Sequence, residues 1–166
     1  MNIFYMDSSA IVKRYVMEAG SEWILRLCEG RNSESIEQSN LVMVAEITLV
    51  EVAAAIARRA IKTKELGVSE GSNLYKLFVE HFEGEYRVIA LTPALVRAAA
   101  DMAQKHALRA YDAVQLACAV HAASRLRTDN LALVFVSADF NLLQAARAEG
   151  MATENPFDHR DLDTPR

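Results

Sequence analysis

The sequence predicts an α/β fold: a three-layer α/β/α sandwich built around a central, mostly parallel sheet of four to five strands. Short apolar runs alternate along the chain with longer segments whose apolar residues recur every three to four positions, as expected for strands connected by helices. The apolar runs are continuous and do not alternate with polar residues, which is typical of strands whose two faces are both buried. The sheet should therefore carry helices on each side.

The strands are predicted from short apolar runs that end at polar or turn-forming residues. They are Ile3–Met6, Leu41–Ala45, Arg87–Leu91 and Leu131–Val136, with Met151–Thr153 as a fifth strand at an edge. The first run is followed directly by Asp7 and the fourth by Ser137-Ala138-Asp139. Because open parallel sheets bind ligands beyond the carboxyl ends of their strands, these two junctions are candidate parts of a functional site.

The helices are predicted from apolar spacing and from capping residues. Thr92-Pro93 should open a helix, because threonine is a good N-cap and proline fits the first helical position. Ser21 is the predicted N-cap of an earlier helix, and Gly67–Gly71 is predicted to interrupt the helical pattern. The predicted helices cover approximately Ala10–Met17, a segment from Ser21, Leu49–Lys64, Asn73–Phe82, Pro93–His106, Ala110–Arg125, which should be buried, and Phe140–Ala148.

Length and composition indicate one globular domain. The chain has 166 residues, of which 52% are hydrophobic and 24% are charged, and its two cysteines have neither disulfide nor zinc spacing. Residues 1–154 form the predicted single domain, and the polar residues 155–166 form a loosely held C-terminal tail. The apolar stretches are too short to span a bilayer and the N-terminus has no basic leader, so we expect a cytoplasmic protein.

The net charge of -4 disfavours a protein that coats nucleic acid by bulk charge. It allows a local basic rim around an acidic cleft that contains metal ions, because a bound ion reverses the sign of the local field.

Four carboxylates occupy positions where apolar side chains are expected. Asp7 and Asp139 follow two predicted strands, whereas Glu51 and Asp112 lie in the first turns of two apolar helices. Both locations lie on the same side of a parallel α/β sheet, so the four side chains are expected to converge. Carboxylates withdrawn together from water repel each other unless a cation compensates, and oxygen ligands favour Mg²⁺ or Mn²⁺. No histidine lies near these acids in sequence, which disfavours zinc.

Each acid also has a purely structural interpretation. Thr48-x-x-Glu51 fits the capping-box pattern. Asp7 and Asp139 are suitable N-caps for the helices that follow them, and Asp112 suits the positive end of its own helix. This interpretation requires four independent capping acids on one rim, so we favour a shared metal site that activates water to attack a phosphodiester.

The chemistry-bearing motifs occur in an order and spacing that resemble a known family. They are Met6-Asp7-Ser8-Ser9-Ala10-Ile11-Val12, Thr48-Leu49-Val50-Glu51-Val52, Leu108-Arg109-Ala110-Tyr111-Asp112-Ala113-Val114-Gln115-Leu116-Ala117 and Phe135-Val136-Ser137-Ala138-Asp139-Phe140-Asn141-Leu142-Leu143. The set, which spans about residues 3–150, resembles the PIN-domain ribonucleases, and among them the VapC-type toxins of bacterial toxin–antitoxin pairs.

The resemblance implies a Mg²⁺- or Mn²⁺-dependent endoribonuclease that acts on single-stranded or looped RNA. It further implies a small antitoxin protein that inserts into the cleft, and a homodimer. The catalytic and metal-binding acids implied by it are Asp7, Glu51, Asp112 and Asp139. Ser137 matches the family's hydroxyl residue two positions before the last acid and would orient a metal-bound water or a carboxylate. Ser9 fits the hydroxyl position after the first acid.

Further residues are candidates for contacts with RNA. The basic candidates for binding phosphates are Lys13, Arg14, Arg58 and Arg109. A solvated helix face is the more frequent explanation for such residues, except for Arg109, which the motif places near the site. Tyr111 and Phe140 are able to stack on a base, although core packing is the more frequent role of aromatic residues in such positions.

Three other functions compete with the ribonuclease hypothesis. The first is a catalytically silent RNA- or partner-binding module on the same fold, whose acids serve only as caps. A haloacid-dehalogenase-like phosphatase also begins with an acid after strand one, but it needs a second acid two residues later, where this chain has Ser9. A receiver domain needs paired acids and a late lysine that the sequence lacks.

Overall fold

The computed structural model describes residues 2–30 and 40–163, which form a five-stranded sheet between two layers of helices. The strands are β1 (Ile3–Met6), β2 (Leu41–Ala45), β3 (Arg87–Ile89), β4 (Leu133–Val136) and β5 (Ala152–Glu154). Their order across the sheet is β3-β2-β1-β4-β5, and every neighbouring pair is parallel. The predicted sandwich and the predicted fifth strand at an edge are confirmed.

Seven α-helices connect the strands within the described residues. They are α1 (Ser8–Ile11), α2 (Ser21–Cys28), α3 (Thr48–Ala57), α4 (Val68–Gly84), α5 (Pro93–His106), α6 (Ala110–Arg127) and α7 (Phe140–Ala148). A 3-10 turn, Val12–Arg14, follows α1, and a π-helical turn, Arg58–Lys62, follows α3. None of the described helices is long and apolar enough to cross a membrane.

The two faces of the sheet are covered by separate hydrophobic cores. Along β1, Phe4 and Met6 point into a core built with α2, α3 and α4. Ile3 and Tyr5 point into the opposite core, which contains buried residues of α5, α6 and α7. All four residues of β1 are buried, since this strand lies at the centre of the sheet with helices on both sides. The residue that follows β1 is thereby fixed in a rigid, dry position.

Two helix starts differ from prediction. Asp7 caps α1 by accepting a hydrogen bond from the Ala10 amide, so this helix starts at Ser8, and its 3-10 continuation ends earlier than the predicted Met17. The N-cap of α2 is Gly20, with a φ of 85°, and not Ser21. The buried Ser21 hydroxyl instead accepts a hydrogen bond from the Glu18 amide.

The predicted helix break is present but displaced: residues 63–67 separate the π-helical turn from α4, which begins at Val68 and includes Gly71. A Cβ atom added at Gly71 would lie 2.8 Å from the Cβ of Ala60 in the π-helical turn. Glycine therefore allows these two helical segments to approach closely. The helix continues through the glycine because tertiary packing outweighs its low helix propensity.

The expectation of a loosely held C-terminal tail is wrong for residues 156–163. They form two short 3-10 turns that meet at the non-helical His159 and pack on α2, where the rings of Trp23 and His159 stack with their centroids 4.1 Å apart. The Asp163 carboxylate accepts hydrogen bonds from the amides of Gly20 at 2.6 Å and Glu22 at 3.0 Å. Residues 164–166 lie outside the described part of the chain, and the domain boundary at residue 154 stays a prediction.

Candidate active site

Asp7 lies at the carboxyl end of the central strand and is 3% exposed. Its carboxylate accepts hydrogen bonds from the Ser9 hydroxyl at 2.8 and 2.9 Å, the Ser137 hydroxyl at 2.8 Å and the Ala10 amide at 2.9 Å. Burial raises the pKa of Asp7 to about 7, although these hydrogen bonds lower it and the charge of Glu51 raises it. The geometry holds a carboxyl group in one orientation and allows it to bind or release a proton near neutral pH.

The hydroxyls of Ser9 and Ser137 join the ends of β1 and β4. The Ser137 hydroxyl lies 3.4 Å from that of Ser9 and accepts a hydrogen bond from the Asp139 amide at 3.0 Å. The Ser9 hydroxyl accepts a hydrogen bond from the Ala138 amide at 2.9 Å. Both serines therefore contact Asp7 and the turn that carries Asp139, which is where the motif places them.

Glu51 is held by Gln115, a residue that the sequence reasoning did not assign to the site. The buried Gln115 amide nitrogen donates to the Glu51 carboxylate at 2.6 Å and to the Thr48 hydroxyl at 3.0 Å. Its carbonyl oxygen accepts a hydrogen bond from the Tyr5 hydroxyl at 2.7 Å. The available signal in the sequence was a polar side chain within the most apolar helix, three residues after Asp112.

The capping-box interpretation of Glu51 is wrong. The N-cap of α3 is Ile47, and the Glu51 carboxylate faces Gln115. Burial raises the pKa of Glu51, hydrogen bonding from Gln115 and Ser8 lowers it, and the charge of Asp112 raises it. Glu51 thus lies within electrostatic range of both Asp7 and Asp112.

Asp112 lies in the first turn of α6, and Asp139 is the N-cap of α7, which contacts α6. Asp139 caps α7 by accepting a hydrogen bond from the Leu142 amide at 2.9 Å. Burial raises the pKa of Asp112, the charge of Asp139 raises it further, and the exposed Arg109 lowers it. Capping therefore accounts for hydrogen bonds of Asp7 and Asp139, but it does not explain why Asp112 lies in this acidic surrounding.

Electrostatic interactions connect the four acids in the order Asp7, Glu51, Asp112 and Asp139. In the described ranges 2–30 and 40–163, no three His, Cys, Asp or Glu side chains are grouped so that they could hold a metal ion as they stand. The donor set fits a hard divalent cation chemically, because it offers only oxygen ligands. Burial and mutual repulsion raise the pKa values of Asp7, Glu51 and Asp112. A bound cation would offset both effects, because it favours the ionised carboxylates.

Two of the four basic candidates for RNA contact are engaged elsewhere. Lys13 is 1% exposed, and its ammonium group forms a 2.7 Å ion pair with Glu18. The guanidinium of Arg14 donates to the carboxylate of Glu85 at 2.8 Å and to the hydroxyl of Tyr86 at 2.6 Å. The expectation that Lys13 and Arg14 contact RNA is therefore wrong, because both cations are largely buried and already paired.

The other two basic candidates are exposed. Arg109 is the N-cap of α6, close enough to lower the pKa of Asp112. Arg58 follows Glu51 by seven residues, which corresponds to roughly 10 Å along the helix axis. Both arginines are thus accessible to a ligand at or beside the four acids.

The fold and the candidate site together describe a class of protein: an α/β domain with four carboxylates at the carboxyl edge of an all-parallel sheet. A family model described as the PIN domain matches residues 4–148. This chain belongs to the PIN-domain family, as its motifs predicted.

Two curated relatives span nearly the whole chain. Ribonuclease VapC45 of Mycobacterium tuberculosis strain CDC 1551 / Oshkosh and Ribonuclease VapC49 of strain ATCC 25618 / H37Rv are each 31% identical to it over 150 residues. Each alignment covers 90% of this chain and 93% of the relative. The similarity therefore extends over nine tenths of this chain and most of each relative.

Solved structures share the fold at low sequence identity. PAE2754 from Pyrobaculum aerophilum has a TM-score of 0.59 at 16% identity, covering 98% of this chain and 97% of its own. VapC20 of Mycobacterium tuberculosis, described as a sarcin-ricin loop cleaving toxin, has a TM-score of 0.57 at 16% identity, covering 86% and 94%. These two likenesses establish the architecture alone.

Proposed function

We propose that this protein is an endoribonuclease, the toxin component of a toxin–antitoxin pair, which hydrolyses RNA phosphodiester bonds in the presence of Mg²⁺ or Mn²⁺. The observation that carries the proposal is the placement of four carboxylates from four separate segments at one edge of the sheet: Asp7 and Asp139 follow β1 and β4, and Glu51 and Asp112 lie in the first turns of α3 and α6. The ribonuclease names of the two curated relatives support it. The alternative of a catalytically silent binding module has no comparable support.

The residues that would hold the divalent cation are Asp7, Glu51, Asp112 and Asp139. When bound, the cation supplies charge neutralisation for the phosphate and a lowered pKa for the attacking water. Glu51, Asp112 and Asp139 are only partly buried, so their carboxylates are accessible to a cation from solvent.

The protein's own residues prepare the site. Ser9 and Ser137 orient the Asp7 carboxylate, and Gln115 fixes one oxygen of Glu51. Because they act through the acids, we assign all three as positioning residues. Asp7 would have to be ionised to hold a cation, and its pKa of about 7 leaves it partly protonated at neutral pH.

RNA is expected to approach the four acids from the solvent side of the carboxyl edge of the sheet. Arg109 and Arg58 are the basic residues we propose for contacts with phosphates flanking the cleaved bond. A chain with a net charge of -4 needs such local contacts, because its overall field repels a polyanion.

The relatives' VapC names also suggest how the protein is assembled in the cell. We infer a cytoplasmic homodimer that is inhibited by a small antitoxin protein. Co-expression with the product of the adjoining open reading frame should yield a complex that lacks ribonuclease activity. Sedimentation of the isolated chain measures its oligomeric state independently.

Cleavage of a single-stranded RNA tests the proposal directly. We expect cleavage with Mg²⁺ or Mn²⁺, none with EDTA, and a loss of more than about 100-fold in the Asp112→Asn variant, because a lost ligand costs more than a lost neighbour of a ligand. Asp101→Asn, the same change on the exposed face of α5, is the matched control and should retain full activity.

Calorimetric titration with Mn²⁺ provides a readout that does not depend on activity. The unmodified chain should bind Mn²⁺, and Asp7→Asn should lose this binding. Full ribonuclease activity of pure Asp112→Asn, or equal Mn²⁺ binding by the Asp7→Asn variant, would contradict the assignment and favour the binding module.

A further inference from the structure

The most exposed aromatic side chains of the protein lie beside the acids. Of the twelve aromatic residues, eight are buried, whereas Tyr111 is 57% and Phe140 is 61% exposed. Tyr111 directly precedes Asp112, and Phe140 directly follows Asp139. Because α6 and α7 are in contact and Asp112 and Asp139 interact electrostatically, both exposed rings belong to residues adjacent to this pair of acids.

Packing does not account for either ring. Neither forms a ring–ring or cation–π contact in the described residues, and the Tyr111 hydroxyl has no hydrogen-bond partner there. The expectation that both residues pack in the core is therefore wrong. Exposing a large apolar ring is unfavourable in the free protein, so a ligand that covers these rings gains hydrophobic free energy.

The other two exposed aromatic residues have a different setting. The ring of Phe157 lies under the ammonium group of Lys13, 4.3 Å from the ring centroid. Tyr75 lies on α4 beside apolar residues of α3 and of the π-helical turn. Only Tyr111 and Phe140 combine high exposure with a neighbouring site carboxylate.

We propose that Tyr111 and Phe140 form a stacking platform for unpaired nucleobases of the RNA that is cleaved at the four acids. This inference rests on the proposed ribonuclease function and names the feature of the substrate that the site recognises. An aromatic ring stacks on any base, and the faces of a base are accessible only where the RNA is not paired. Single-stranded and looped RNA is thereby selected over duplex RNA.

Electrostatics explain why stacking is needed at this position. RNA is a polyanion and is repelled as it approaches four carboxylates. Arg109, two residues before Tyr111, is an exposed cation that offsets part of this repulsion. Stacking supplies binding free energy that does not depend on charge. The platform therefore holds the nucleotides beside the acids without additional cationic side chains, which would compete with a divalent cation for the carboxylates.

Binding of a labelled single-stranded RNA, followed by fluorescence anisotropy, tests the platform in an Asp7→Asn background, in which binding is measured without cleavage. We expect Phe140→Leu and Tyr111→Leu each to raise the Kd about tenfold. Phe140→Trp and Tyr111→Phe, which keep an aromatic ring, should retain the parent Kd. Tyr75→Leu, a matched change at an exposed ring away from the acids, should leave it unchanged.

An abasic oligonucleotide of the same length separates stacking from backbone binding. The leucine variants and the parent should bind this probe equally, because it offers phosphates without bases. The platform is refuted if both leucine variants bind single-stranded RNA as tightly as the parent, or lose the same affinity for the abasic probe.

The two proposals fail in different ways. Metal-dependent cleavage by the unmodified chain together with unchanged binding by the leucine variants removes only the platform. Absence of both RNA binding and RNA cleavage in the unmodified chain removes the ribonuclease function and the platform together.

Discussion

At Asp7, burial and hydrogen bonding have opposite effects on the ionisation of one carboxyl group. It follows the central strand, it is almost completely buried, and it has three different hydrogen-bond donors. Those donors favour the ionised form, whereas burial disfavours it more strongly, so the pKa is raised to about 7. The buried carboxylate is thus retained at the expense of the stability of the folded protein near neutral pH.

The pH dependence of stability should reveal this conflict. Because the folded pKa of Asp7 lies near 7 and its usual value is 3.8, the folded protein binds more protons than the unfolded chain between these pH values. The contribution of Asp7 should therefore be fully present below about pH 4 and lost as the pH rises to about 7. The loss is at most about 4 kcal/mol.

Urea denaturation in EDTA measures this effect as the difference between the unmodified chain and Asp7→Asn. Asparagine keeps the N-cap and cannot ionise, so it is a suitable reference. The stability of the unmodified chain should fall relative to that of the variant as the pH rises from 4 to 7. A constant difference across this range would show that Asp7 is already ionised in the folded protein.

Among the elements, α6 connects the strand and the helix that carry parts of the candidate site. Its residue Gln115 connects β1 through Tyr5 and α3 through Thr48 and Glu51. One buried amide therefore fixes the relative positions of three elements at the point where they present their functional side chains. Such a residue influences both the fold and the orientation of an acid.

Replacing Gln115 by methionine should separate these two effects. Unpaired polar groups of Tyr5 and Thr48 should lower the free energy of unfolding by about 1–3 kcal/mol. Cleavage should fall about 10- to 100-fold because Glu51 loses its orienting donor. Loss of that donor also raises the pKa of Glu51, so the pH–rate profile should shift to higher pH.

Gln104→Met on the exposed face of α5 provides the control for the Gln115 variant. A purely structural role of Gln115 would lower stability without moving the pH–rate profile. That result would contradict its assignment as a positioning residue.

At the scale of the whole molecule, the C-terminal segment completes the helical layer that begins with α2. Asp163 lies 141 to 143 residues further along the chain than the start of α2, and its carboxylate accepts hydrogen bonds there from the amides of Gly20 and Glu22. Gly20 has a left-handed conformation and no side chain with which to cap the helix itself. The cap is therefore provided through tertiary structure.

Asp163→Ala should lower the free energy of unfolding by about 1 kcal/mol, the usual effect of losing a cap. Asp161→Ala removes an exposed aspartate from the same 3-10 helix and should change stability by less than about 0.5 kcal/mol. Equal urea midpoints for the two variants would show that the C-terminal segment does not cap α2.

The architecture followed from the sequence because periodicity is a local property. Continuous apolar runs and three-four spacing identified every strand and the order of the layers, and β1 and β4 placed Asp7 and Asp139 at strand ends. The candidate acids were recognisable for the same reason, since a carboxylate within an apolar segment stands out without knowledge of contacts.

What the sequence alone determined was therefore the α/β class and the four candidate acids. Only the tertiary structure decided which long side chains face the site: Lys13 pairs with Glu18, Gln115 turns toward Glu51, and Tyr111 remains exposed. It also decided that the polar tail packs against α2. The physical reason is that these outcomes depend on partners distant in sequence, and burial and pairing energies are set by those partners rather than by local propensity.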